Sequence, residues 1–193
     1  MVSKIDICNL ALAQLGQAPI SSLKQEDERA KRLDLFYGPV RDEVLRTHNW
    51  GFATAEIPLS LLKDDPQNGL FYYQYPPDAL FIQRVCGAYN KRGFPFEERY
   101  DALLAARILV TKVPAAHAVY TRKTVDETQF DAAFVKVFSL ALACDLAVAL
   151  TGDNSLAMQL TQKYTLCLDE ARRSNMTENY RVACDRDAFS EVR

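Results

Sequence analysis

The sequence predicts a mainly α chain with a β insertion, α+β in class. Two helical hairpins make a four-helix bundle, and a small antiparallel β subdomain is inserted between helices two and three. Three observations predict this. Apolar residues recur at steps of three and four near both ends of the chain, the period of a helix with one buried face. Residues 54–125 hold six of the eight prolines, together with aromatic and β-branched runs, which suit strands and turns. A long apolar stretch lies at 132–150 and suits a helix buried on most sides. The expected organisation is a helical bundle from 1–53 and 126–176, a β-rich insertion over 54–125 and a tail over 177–193.

The first helix is expected from 4 to 15. Ser3 caps it, and Asp6 three residues later completes a capping box. Ile5, Cys8, Leu12 and Leu15 form its stripe; Gly16 supplies a left-handed stop and Pro19 prevents resumption. The second helix begins near Gln25, with the stripe Ala30, Leu33, Tyr37, Val40, Val44 and Thr47. Acids load its first turn (Glu26, Asp27, Glu28) and bases its last (Arg46, His48), as the helix dipole favours. Both ends therefore describe one helix, although Gly38-Pro39 lies in its middle. Proline removes one backbone donor and crowds the preceding turn, at about 3 kcal/mol. A kinked helix, or two helices meeting at Gly38, are the alternatives.

Within 54–125, "LFYYQYPPDALFIQRVCG", "RILVTKV" and "HAVYTRKT" read as strands, and "KVPAAHAVY" as a turn joining two antiparallel strands. "PFEERYDALLAA" fits either a helix or a strand, while "KDDPQNG" and "NKRG" read as loops. The third helix runs from 131 to 150 and belongs at the centre of the fold. Gly152 closes it, Asp153 or Asn154 caps the next, and the fourth helix spans 155–174 with Leu156, Leu160, Tyr164, Cys167, Leu168 and Ala171 on its stripe. The tail after it offers Tyr180 and Phe189 as docking points.

Composition excludes several classes. The net charge of -2 gives no basic excess of the kind that nucleic-acid binders use. Five cysteines, odd in number and without a CxxC pair, read as reduced thiols of an intracellular chain. Neither His48 nor His117 stands at a zinc-ligand spacing to them. The N-terminus carries Lys4 and Asp6 and is no signal peptide. Lys136, Ser139 and Asp145 interrupt the longest apolar run, which argues for a core helix and against a membrane span.

The search for chemistry yields little. His48 and His117 read as a helix end and a hairpin residue, and not as partners of a nucleophilic thiol. Glu97 and Glu98 are adjacent, so on a strand they face opposite ways and cannot act together. Seven glycines make no phosphate-cradling loop. Arg172-Arg173 read as a solvated helix end. Asp145 reads either as a boundary carboxylate paired with an arginine such as Arg41, or as a residue at an interface between subunits. Arg41, flanked by Asp42, reads as half of a structural ion pair.

"LALAQLGQAPISSL", followed by a helix with "YGPVRDEVLRTHNWGFA", then "YQYPPDAL" and the run from Ile108 to Arg172, resembles the head-to-tail adaptors of short-tailed bacteriophages, the tail tubular protein A family. The resemblance extends to about residue 178 and rests on the order and spacing of these pieces. Its motif residues are Leu15, Gly16, Pro19, Ile20 and Leu23 in the first piece. Tyr37, Pro39, Arg41, Asp42, Leu45 and Trp50 follow in the second, and Asp145 in the long apolar helix. They are structural; the resemblance carries no catalytic, metal or cofactor residue and implies no enzyme.

What the resemblance implies is a structural virion or prophage protein. Copies form a dodecameric ring between the portal protein and the tail nozzle, and double-stranded DNA passes non-specifically through the channel. The location implied is the virion neck, with host cytoplasm during assembly and no membrane. The isolated chain is expected to be largely monomeric and to close its ring on the portal. Sheet edges in the insertion and the tail are expected to carry intermolecular contact. Two other classes compete: a virion-associated wall- or carbohydrate-degrading enzyme, which needs two convergent carboxylates, and a helical regulator that binds one partner.

Overall fold

The computed structural model describes residues 2–178. Its elements are α1 (Lys4–Gln14), α2 (Glu28–Arg46), seven strands β1 (Thr54–Pro58), β2 (Leu61–Asp65), β3 (Leu70–Gln74), β4 (Ala79–Gly87), β5 (Phe96–Asp101), β6 (Ala106–Thr111) and β7 (Ala116–Arg122), then α3 (Ala132–Thr151) and α4 (Asn154–Glu178). The class is α+β, but the expectation of a four-helix bundle with a small insertion is overturned. The strands that follow α1 and α2 form two antiparallel sheets, in the orders β1-β7-β4 and β2-β3-β6-β5. They enclose a core of their own around Tyr73, Ile82, Val85, Leu109, Ala118 and Tyr120.

Nor do the helices form a bundle ring. α3 packs on α1, α2 and α4, which are held together chiefly through it. The reason lies in α3's composition. It is apolar enough on every side to serve three neighbours, and eleven of its side chains are buried. By length and hydropathy α3 would suffice to cross a membrane; here it is the hub of the helical core.

Local signals explain the helix ends. Ser3 and Asp6 make the capping box on α1. Gly16 takes φ +64°, a conformation that costs other residues about 1–2 kcal/mol, and Gly152 takes φ +69° after α3. Asp153 accepts from Ser155 and Leu156 at the start of α4. α2 begins at Glu28, capped by Asp27, and runs through Gly38-Pro39 as one helix. Pro39 is exposed on its outer side. Buried residues stand on both flanks of it, Leu33 and Tyr37 before, Val40 and Val44 after, so packing outweighs the lost backbone bond.

In the strand region the chain alternates between sheets. The turn at 112–115 does not join a hairpin, as the sequence suggested: β6 pairs with β3 and β5, whereas β7 pairs with β1 and β4. Val113 and Ala116 are buried on either side of exposed Pro114 and Ala115, so the turn crosses the sandwich end. "KDDPQNG" is partly strand, since Lys63–Asp65 pair with Leu70–Tyr72. "PFEERYD" is β5. Its neighbour β6 supplies the pairing that decides against a helix. Most of the tail expected at 177–193 lies outside the described residues, with Tyr180 and Phe189, as does Cys184.

Candidate functional site

Two places gather the sequence-predicted residues: the joint between the helical core and the sandwich, and the first helical turn-off. At the joint, Trp50 is fully buried and its Nε1–H donates to the Val44 carbonyl at 3.0 Å. Phe134 of α3 meets its ring edge-on at 5.2 Å, and Phe52 and Phe130 extend the cluster. Such pairs add about 0.5–1.5 kcal/mol beyond area burial. Leu45 is buried in the same core.

α2 is the spine of the joint. Arg41 is buried and donates to Asp42, whose other oxygen takes Lys123 at 2.9 Å just beyond β7. Arg46 donates to the Leu80 carbonyl of β4 at 2.7 Å. The Tyr37 hydroxyl donates to Glu127 at 3.1 Å, and its ring meets Phe138 at 4.9 Å. Burial, with Glu127 next to it, pushes the Tyr37 phenol up. Tyr37, Arg41 and Asp42 are thus structural ties between the core and the segments that enter and leave the sandwich.

Two residues of α4 that close this joint carried no such signal in the sequence. Arg172 is not a merely solvated end: its guanidinium donates to the Thr47 carbonyl at 2.9 Å, one of the orphan acceptors after α2. Asn175 is buried. It accepts from Gly51 N–H at 3.2 Å, donates to the Asn49 carbonyl at 3.1 Å and lies 2.7 Å from His48 Nε2. Burial first, then the Arg172 charge, lowers the His48 pKa. The unfolded chain therefore takes up a proton near the usual value of 6.5 before the folded one does. Stability should be full above that pH and decline as pH falls from it to the lowered folded value. Thermal melts in that window should show this slope, and His48→Gln should flatten it; an unchanged slope would mean His48 is not its source.

In the first turn-off, Leu15 and Ile20 are buried, Leu23 packs partly against the core, and Gly16 and Pro19 are exposed. Asn9, which the sequence reading passed over, holds the segment. Its amide donates to the Ile20 carbonyl at 3.0 Å and accepts from Ile20 N–H at 2.8 Å. The signal was weak because a polar residue on a helix ordinarily faces water.

Asp145 does not pair with Arg41, whose partner is Asp42. It stands exposed on α3, and partial burial, with Glu43 of α2 nearby, raises its pKa. Neither Glu43 nor Asp145 lines any of three cavities of the molecule. Burial pushes the Cys8 thiol up to about 12 and raises Cys86, Cys144 and Cys167, so these sulfurs stay protonated and unreactive. Among the described residues no group of His, Cys, Asp and Glu could hold a metal ion.

The sandwich edges, expected to invite pairing, carry features that discourage it. β1 ends in Pro58, β2 has a bulge and the charges Lys63, Asp64 and Asp65, β4 has two irregularities, and β5 carries Glu97, Glu98 and Arg99. Large apolar side chains are nevertheless exposed beside these features, Leu61 and Leu62 on β2 and Tyr100 on β5, and off the strands at Tyr89 and at Leu103 and Leu104 in the β5–β6 turn.

No known family's sequence model matches the chain, and no curated protein matches it.

Proposed function

We propose that this chain is a structural adaptor of a short-tailed phage or prophage. Copies form a ring, dodecameric by resemblance, between the portal protein and the tail nozzle, with DNA passing through the channel without sequence-specific contact. It acts in the virion neck and is assembled in host cytoplasm. The observation that carries the reading is large apolar side chains left exposed in adjacent positions. Leu61 and Leu62 on β2 and Leu103 and Leu104 in the β5–β6 turn stand exposed in pairs, and the helices expose Leu35, Met158, Leu166 and Met176 as well. Apolar exposure of that kind marks surfaces that are covered in an assembly. The ordered resemblance along the chain adds the particular assembly, and no pair of carboxylates converges in a described cavity as an enzyme would need. The test is electron microscopy of this protein mixed with the portal protein encoded beside it. Added ring density beneath the portal is expected; portal particles left bare at saturating protein would overturn the reading.

A further inference from the structure

The β5–β6 hairpin has a knob at one end and a hole at the other. At the closed end, Leu103 is 97% exposed and Leu104 55%. They are not loosely held: Asp101 Oδ1 accepts from both their backbone N–H groups, at 2.8 and 3.1 Å. Ala105 takes φ +48° to complete the turn, a conformation that is costly without a Gly. Such a fixed tip loses little freedom on binding. At the open end, Leu70, Phe94, Phe96, Val113 and Pro114 line an apolar groove of about 600 Å³. Lys112 stands exposed at its rim and forms no ion pair among the described residues.

We propose that the Leu103-Leu104 tip of one copy seats in this groove of a second copy. The inference rests on the ring reading above and names the contact that builds the ring. One strand length separates knob from hole, so a chain cannot fill its own groove. Each copy offers both halves, and the contact is heterologous: it propagates from copy to copy and closes into a ring if the rotation allows. The charges agree. The second oxygen of Asp101 arrives with the tip, and Lys112 waits at the rim to meet it. Strand addition is the competing mode, and the proline, bulges and charges on the sheet edges oppose it.

The experiment uses the full chain alone, with sedimentation followed to high concentration. Concentration-dependent association is expected, and Leu103→Asp with Leu104→Asp should weaken it by about a hundredfold or more, from two lost apolar burials. Leu70→Arg should fill the groove and weaken it likewise. Neither variant should self-associate, yet mixed they should form dimers that grow no further, because one keeps the groove and the other the tip. Association untouched by the tip substitutions, or no association at any concentration, overturns the proposal. Should Leu70→Arg fail to fold, a photoreactive residue at position 103 decides the matter. Cross-links into 94–96 or 110–114 uphold the contact, and cross-links from tip to tip or to β2 refute it. The two readings fail separately. Rings formed on the portal by the tip variant would sink this contact and leave the adaptor standing. Tip-to-groove cross-links without any portal binding would do the reverse.

Discussion

Trp50→Ala should lower the free energy of unfolding by about 3–5 kcal/mol, the range for removing a large aromatic from a core. Trp50 has no solvent exposure and is ringed by Phe52, Phe134 and His48. Its deletion leaves a cavity that the helices cannot close, because α2 is held on the sandwich side by Arg46 and Asp42. The Val44 carbonyl also loses one of its donors, keeping the Thr47 N–H and hydroxyl. Denaturant melts measure the effect. Trp50→Phe should cost less, since it keeps a six-membered ring while losing the N–H, worth about 1 kcal/mol, and the rest of the indole. A loss below about 1 kcal/mol for Trp50→Ala would mean the site collapses freely and that the joint is not built around it.

The second large effect is expected at Asn175. Asn175→Leu keeps the branched outline of the side chain but strips Gly51 N–H and the Asn49 carbonyl of their partner inside the joint. A buried polar group left unmade costs about 1–3 kcal/mol, and two are affected together. The loss should be local as well as global. Amide exchange at Gly51 and Phe52 should quicken more than exchange in the strands. Uniform acceleration across the chain would show that Asn175 does no more than support the overall core. Asn175→Asp is the informative companion, since it keeps the acceptor for Gly51 and loses the donor to Asn49.

These two residues mark how far the sequence could be read. Trp50 was legible because a lone tryptophan at a helix exit has few other uses. The helix ends were legible because Ser3, Asp6, Gly16 and Gly152 act on their immediate neighbours. Asn175 and Asn9 were not, since their partners stand 124 and 11 residues away and nothing local distinguishes a clamping amide from a solvated one. The size of the β half was underestimated for a related reason. β1 and β2 are short, and β2 reads as a polar loop; both are strands only because β7 and β3 lie beside them. The turn after β6 was misread because a hairpin and a crossing between sheets demand the same residues. Pairing Asp145 with Arg41 failed because the adjacent Asp42 was already within reach.

The position of α3 also bears on how the chain matures. α1 and α2 both bury their apolar faces against α3, so the first 53 residues cannot complete their core until α3 is made. Their apolar faces, with Leu33, Val44 and Trp50, must wait on the ribosome until the seven strands and then α3 have emerged. At typical synthesis rates of about 5–20 residues per second that interval is on the order of ten seconds. The sandwich has its own core and can fold first, drawing the exit of α2 and the entry of α3 together through Arg46, Asp42 and Lys123. Its early completion shortens the loop that α3 must close, which makes the inserted domain a folding aid to the helices that flank it.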